Sequence, residues 1–217
     1  MNDLAILKLA TTEVESKTWG VTQQFLEIHD LTYEDDKLKV AHIDKDKNDG
    51  EAIVYFPVKD EKFYLAIYIR TTPSMEIIGV GTEPDHKIYL RATSEKLSFE
   101  ELSKLTSLKP TDGWNKGDKR KYGNSVYSFS CIEFMPNPEP DEFEDKIYKL
   151  LDFLDKDKEG VCRLAAMANG HIQVASVFHN GNTMLGGFHL DKHLISRLKA
   201  LDLEIDFDLY AEGSFFK

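Results

Sequence analysis

Between positions 63 and 70 the chain reads Phe63-Tyr64-Leu65-Ala66-Ile67-Tyr68-Ile69-Arg70. Phe63, Leu65, Ile67 and Ile69 recur at every second position. They share one side of an extended backbone and can be buried together only in a strand. Neighbours for that strand flank it. Ile53-Val54-Tyr55-Phe56-Pro57-Val58 precedes it across the acidic turn Lys59-Asp60-Glu61-Lys62, and Ile77-Ile78-Gly79-Val80 follows the turn Thr71-Thr72-Pro73-Ser74. Leu38-Lys39-Val40-Ala41-His42-Ile43 alternates as well, and residues 44–50 read as a polar loop. The first 86 residues therefore read as a β-rich meander of hairpins, with a boundary at Glu83-Pro84-Asp85-His86.

Beyond that boundary the period switches back and forth. Residues 87–93 read as a strand. Ser98 and Glu101 then have the spacing of a capping box, ahead of an apolar stripe formed by Phe99, Leu102 and Leu105. Residues 112–124 read as a polar loop and residues 125–132 as a strand. Pro136, Pro138 and Pro140 break the chain and deliver Asp141, an expected N-cap with Glu144 at its third helical position. Ile147, Leu150, Leu151 and Leu154 follow at helical spacing, and Val161, Leu164, Ala165 and Ala168 mark a shorter helix. A strand over residues 171–178 precedes a helix capped by Asp191 and lined by Leu194, Ile195, Leu198 and Leu201. The closing strand, residues 203–210, is expected to turn Ile205, Phe207 and Leu209 to the core. The pattern predicts an α+β fold: a β-rich N-terminal region (residues 1–86), then a two-layer α/β sandwich on a mainly antiparallel sheet (residues 87–217).

Charge narrows the function. The 217 residues carry a net charge of −11. Residues 1–86 hold 9 Lys/Arg against 17 Asp/Glu, and the rest hold 18 against 21, so the acidity is concentrated at the front. Phosphate binding needs Lys and Arg in number, so neither nucleic acid nor an anionic membrane is an expected partner. Basic proteins are attracted instead. The N-terminal residues lack the basic and apolar runs of a secretion signal, and no window is apolar enough to span a bilayer, so the expected location is cytoplasmic. Cys131 and Cys162 form no C-x-x-C pair and read as small core residues.

Four groups of residues invite a chemical reading. Trp114, Lys116, Asp118 and Arg120 stand in a segment that also holds Lys119 and Lys121. Trp114 can anchor a partner or an anion there, or it can pack over the sheet to lock the loop. Asp206 and Asp208 fall on one face of the last strand with Glu204. They form either a solvated acidic stripe, which the lack of neighbouring functional groups favours, or a carboxylate pair. His189 and His193 have the i, i+4 spacing of metal ligands, but Asp191 as N-cap puts His189 outside the helix. Tyr55, Tyr64 and Tyr68 either fill the core or present an aromatic face. No phosphate-binding glycine motif, nucleophile elbow or Cys/His catalytic motif is present, so no enzyme activity, cofactor or metal is expected.

The run Ile88-Tyr89-Leu90-Arg91-Ala92-Thr93-Ser94-Glu95, the element Trp114-Asn115-Lys116-Gly117-Asp118 and the closing Asp206-Phe207-Asp208-Leu209-Tyr210 resemble the bacterial domain of unknown function 4279, over roughly residues 87–213. The resemblance carries no established activity. It implies a bacterial protein, some relatives of which look like members of polymorphic-toxin immunity arrays. The expectation is a non-enzymatic, immunity-type interaction protein that binds and blocks a toxin, with a basic toxin as the partner its charge suits. The alternative is a small-ligand-binding or regulatory domain with its site at residues 114–121.

Overall fold

The computed structural model describes residues 3–45, 50–182 and 185–215. The expected polar loop at residues 44–50 lies largely outside them. In chain order the helices are α1 (Asp3–Ser16), α2 (Gly20–Leu26), α3 (Phe99–Ser103), α4 (Phe143–Leu154), α5 (Lys158–Met167) and α6 (Lys192–Ala200). The strands are β1 (Tyr33–Glu34), β2 (Lys37–Leu38), β3 (His42–Asp44), β4 (Glu51–Pro57), β5 (Phe63–Arg70), β6 (Glu76–Ser94), β7 (Asp112–Trp114), β8 (Ser130–Phe134), β9 (His171–His179) and β10 (Glu204–Glu212). The fold is α+β on a mainly antiparallel sheet.

β6 organises the molecule. Its 19 residues extend about 60 Å at roughly 3.3 Å per residue. The first half pairs with β5, from Pro84 opposite Phe63 to Glu76 opposite Arg70. The second half pairs with β9 over Asp85 to Arg91 and with β8 over Leu90 to Ser94. The main strand order is β10-β9-β6-β5-β4-β3, and β8 and β7 extend the far end of β6. The boundary expected at residues 83–86 thus falls inside one continuous strand. β9 and β10 run parallel, which the crossover through α6 permits.

The β-rich reading of the N-terminal region missed two helices. α1 and α2 cover residues 3–16 and 20–26. Ile6, Ala10 and Val14 recur at i, i+4 and i+8, and with Phe25 they bury against Val54, Phe56, Leu65 and Ile67. On the other face of β4 and β5, Ile53, Tyr55 and Ala66 form a small cluster flanked by Tyr64 and Tyr68. A separate, larger core joins Ile88, Leu90, Ile132, Phe134, Ile172 and Val174 on the sheet to Leu102, Ile147, Leu151, Leu164 and Leu194 on the helices.

Local signals were met unevenly. Ser98 and Glu101 form the capping box of α3, and the Asp191 carboxylate accepts Leu194 N at the start of α6. Asp141 does not cap α4. Its carboxylate instead accepts Lys149 Nζ at 2.7 Å and Asn137 Nδ2 at 3.1 Å, and Glu142 takes the N-cap position. Two side-chain donors thus take up the carboxylate that could have capped the helix. Residues 112–114, expected in a loop, form β7 because β8 starts late, at Ser130, and offers Cys131 to Glu133 as partners.

One polar contact joins the end of the N-terminal helices to the rest, and a second joins the two helices to each other. The imidazoles of His29 and His179 meet Nε2 to Nε2 at 3.0 Å, joining the chain after α2 to the end of β9. Glu13, 2% exposed, sits under the α1–α2 turn. Its carboxylate accepts Trp19 N at 3.0 Å and Thr22 Oγ1 at 2.6 Å, together with the Thr18 hydroxyl. Burial pushes its pKa up, but these bonds outweigh burial and hold it below the ordinary value. The carboxylate's contribution is therefore present at neutral pH and is lost as pH falls through that lowered value. Glu13→Ala leaves Trp19 N and Thr22 Oγ1 without their acceptor and is expected to cost about 2 kcal/mol in urea denaturation at pH 7. The deficit should shrink in acid.

Candidate functional site

The sheet is thinly covered along β10. β9, the middle of β6 and β10 lie side by side beneath the N-terminal turn of α4 and the coil of residues 185–190. Together they enclose an open groove of about 590 Å³. Its floor is aromatic. Phe143 and Phe188 approach to 4.4 Å between ring centroids, and Phe188 stacks on Phe207 at 5.1 Å with planes 18° apart. His86 lies 5.7 Å from Phe188 and 6.0 Å from Phe178. Glu83, Glu142 and Glu144 line the groove around these rings. Glu144 Oε1 accepts His189 N at 3.0 Å, which ties the coil to α4. Glu83 accepts the Tyr68 hydroxyl.

The register of β6 on β9 sets His86 opposite Ser176. Their side chains meet at 2.7 Å, Nδ1 to Oγ. Ser176 is fully buried behind the ring, and His86 is 6% exposed. Ser176 holds Nδ1 and leaves Nε2 as the second polar atom of an imidazole that lines the groove. Burial, with help from the Lys146 charge, pushes the His86 pKa down to about 4, so the ring is neutral at pH 7. An aromatic floor with a neutral imidazole and surrounding carboxylates suits an apolar or cationic group and rejects an anion.

β10 borders the groove. Residues 206–211 are all exposed, with Leu209 at 59%. The closing strand therefore does not turn its apolar residues to the core as expected. Ile205 is partly packed, while Phe207 and Leu209 stand at an edge that only a short coil approaches. Asp206 and Asp208 project with Glu204. Gln173 Nε2 donates to Asp208 Oδ2 at 3.1 Å, and His171 Nε2 lies 4.0 Å from Asp206 Oδ2.

Trp114, Lys116, Asp118 and Arg120 stand at the opposite edge of the sheet, on β7 and the loop after it. The Trp114 ring stacks on Tyr127 at 4.3 Å with planes 18° apart, and the Arg91 guanidinium lies 5.5 Å over it. Arg120 covers Tyr127 in the same way at 5.3 Å. Asp118 Oδ2 accepts Asn115 N, and Gly117, at φ +93°, supplies a left-handed turn. Lys116 Nζ reaches Glu95 O at 3.4 Å. The fold thus keeps the Trp114 group and the Asp206–Asp208 pair apart. Neither group includes His86, Phe143, Phe178, Phe188 or Glu83, the groove residues that sequence reasoning missed. These lie on separate elements, and no spacing rule connects them. The Gly186-Gly187 pair between Phe178 and Phe188 is the one local hint.

A third acidic group joins Asp44, Asp141 and Asp145, with carboxylate oxygens within 4.8 Å of one another. Lys149 offsets part of its charge through Asp141.

The architecture defines an α+β protein with helices packed on a curled, mainly antiparallel sheet and an open, acidic edge strand. The family model for the domain of unknown function DUF4279 matches residues 84–212, from the middle of β6 to the end of β10, and the chain belongs to that family. No curated protein and no solved structure matches the chain.

The groove makes a pH prediction. His86 has a folded pKa of about 4 against an ordinary 6.5. Between those values the unfolded chain takes up a proton that the folded chain refuses. Stability therefore falls as pH drops through that window, by on the order of 3 kcal/mol from this group. Burial also holds His29 and His179 low, and they act in the same direction. Urea denaturation at pH ~7 and ~4.5 should show a smaller acid loss in His86→Asn than in the parent. Equal losses would contradict the assignment.

Proposed function

We propose that this chain is a non-enzymatic binding protein whose partner is a basic protein, and that it neutralises that partner as an immunity protein neutralises a toxin. One observation carries the binding reading: an exposed edge strand bearing Glu204, Asp206 and Asp208 beside an aromatic groove lined by Glu83, Glu142 and Glu144. Charges of one sign on a chain of net −11 speed encounter with a cationic partner, and aromatic pockets supply the apolar anchor. The toxin-neutralising form comes from the family resemblance. Free Cys131 and Cys162 suit a reducing compartment, and we place the protein in the cytoplasm. Among the described residues no helix is long and apolar enough to cross a membrane.

The second reading, a small anion at residues 114–121, has the exposed Lys116, Lys119 and Arg120 in its favour. We rank it second because Arg91 and Tyr127 already stack on Trp114.

Co-expression with toxins encoded next to this gene tests the leading reading. Growth should be rescued by the parent chain. In the purified pair, Asp206→Lys with Asp208→Lys is expected to slow association about tenfold, and added salt should slow the parent in the same way. Failure to bind or protect against any linked toxin would remove this reading.

A further inference from the structure

We propose that β10 receives an extended segment of the partner as an added strand, and that this segment alternates cationic with apolar side chains. The proposal rests on the binding reading above and names how that site is used. β10 pairs with β9 alone among the described residues, so its other side is an open sheet edge. The direction of its backbone groups follows from one bond. Asn180 N donates to Glu212 O, and Glu212 is paired with His179, so Glu212 turns its backbone groups toward β9. Along a parallel strand, alternate residues turn both groups toward the neighbour and the residues between turn them away. The N–H and C=O groups of Phe207, Leu209 and Ala211 therefore point out of the sheet, on a stretch that is exposed throughout. A row of such groups templates another strand.

The side chains say which strand. Asp206 and Asp208 share one face, and no Lys or Arg pairs with them among the described residues; Gln173 and His171 are their polar neighbours. Farther along, Glu212 has Lys62 at 3.5 Å. The other face carries Phe207, stacked on Phe188, and Leu209, both next to the aromatic groove. An incoming strand with Lys or Arg on one face and apolar side chains on the other meets both faces. A second copy of this chain does not fit. Antiparallel pairing of two β10 strands brings one copy's Asp206 and Asp208 against the other's, and like charges across a ladder repel. The acids thus close the edge to self-association and leave it open to a basic partner.

The probe is a nine-residue peptide of alternating lysine and valine, with a glutamate–valine peptide as control. Fluorescence anisotropy at low salt should show saturable binding of the first and none of the second. Amide exchange in the bound parent protein should slow at least tenfold at Phe207, Leu209 and Ala211. Leu209→Pro removes an outward donor without breaking a β9 bond and should weaken binding at least tenfold, as should Asp206→Lys with Asp208→Lys. The exchange measurement needs no variant, so a misfolded proline protein leaves the test intact. No binding of the lysine–valine peptide overturns the proposal. So does binding without amide protection, which would leave charge-driven partner binding standing. A dimer of the parent chain in sedimentation that Leu209→Pro abolishes also overturns it. Strand addition without protection against any linked toxin would instead count against the toxin reading alone.

Discussion

One strand holds the backbone bonds of both halves of this molecule. β6 gives its first residues to β5 and its last to β8 and β9, so neither half can lose its ladder without disturbing the other. The helices are secondary to that ladder. α1 and α2 cover the β4–β5 side, and α3 to α6 cover the far end. Their apolar stripes would have nothing to bury against without the sheet that β6 keeps continuous.

Where the halves meet, the interior is charged. Lys146 is 2% exposed and donates through Nζ to Glu139 O at 2.6 Å. Burial pushes its pKa down to about 8, against the pull of Asp85 and Asp141. Asp85 is raised in turn by burial, with Lys87 and Lys146 opposing, and it receives the Tyr64 hydroxyl at 3.5 Å. A buried set of this kind adds little net stability, since desolvation consumes most of the attraction. It restricts how the start of α4 can sit against β5 and β6, because any slip leaves a charge unpaired. The same placement sets Phe143, Glu142 and Glu144 over the groove.

Two edges of the sheet, β7 and β10, have different characters. At the β7 edge, Arg91, Trp114, Tyr127 and Arg120 stack in sequence, with Arg91 over the Trp114 ring and Arg120 over the Tyr127 ring. At the β10 edge the rings are Phe207 and Phe188, the carboxylates project, and the backbone groups of Phe207, Leu209 and Ala211 turn outward. A sheet must end somewhere, and unprotected ends aggregate. Here the β7 edge is covered by its own aromatic loop and the β10 edge is guarded by like charge.

The sequence by itself determined the elements whose signal is local. The two-residue period of Phe63 to Arg70 placed β5, the Ser98–Glu101 spacing placed the α3 cap, and Asp191 placed the start of α6. The family, too, was readable in residues near Trp114 and Asp206. Only the tertiary structure decided the rest. α1 has a weak apolar stripe that acquires meaning once β4 and β5 lie beneath it. Asp141 has the spacing of a cap, yet Lys149 claims it. Phe207 and Leu209 alternate as core residues do, but burial depends on what lies above a strand, and over β10 there is only a coil. The groove is the extreme case: His86, Ser176, Phe143 and Phe188 come from four segments that are remote in sequence. Periodicity reports which side of an element is apolar; pairing and coverage, which are long-range, decide whether that side is core or surface.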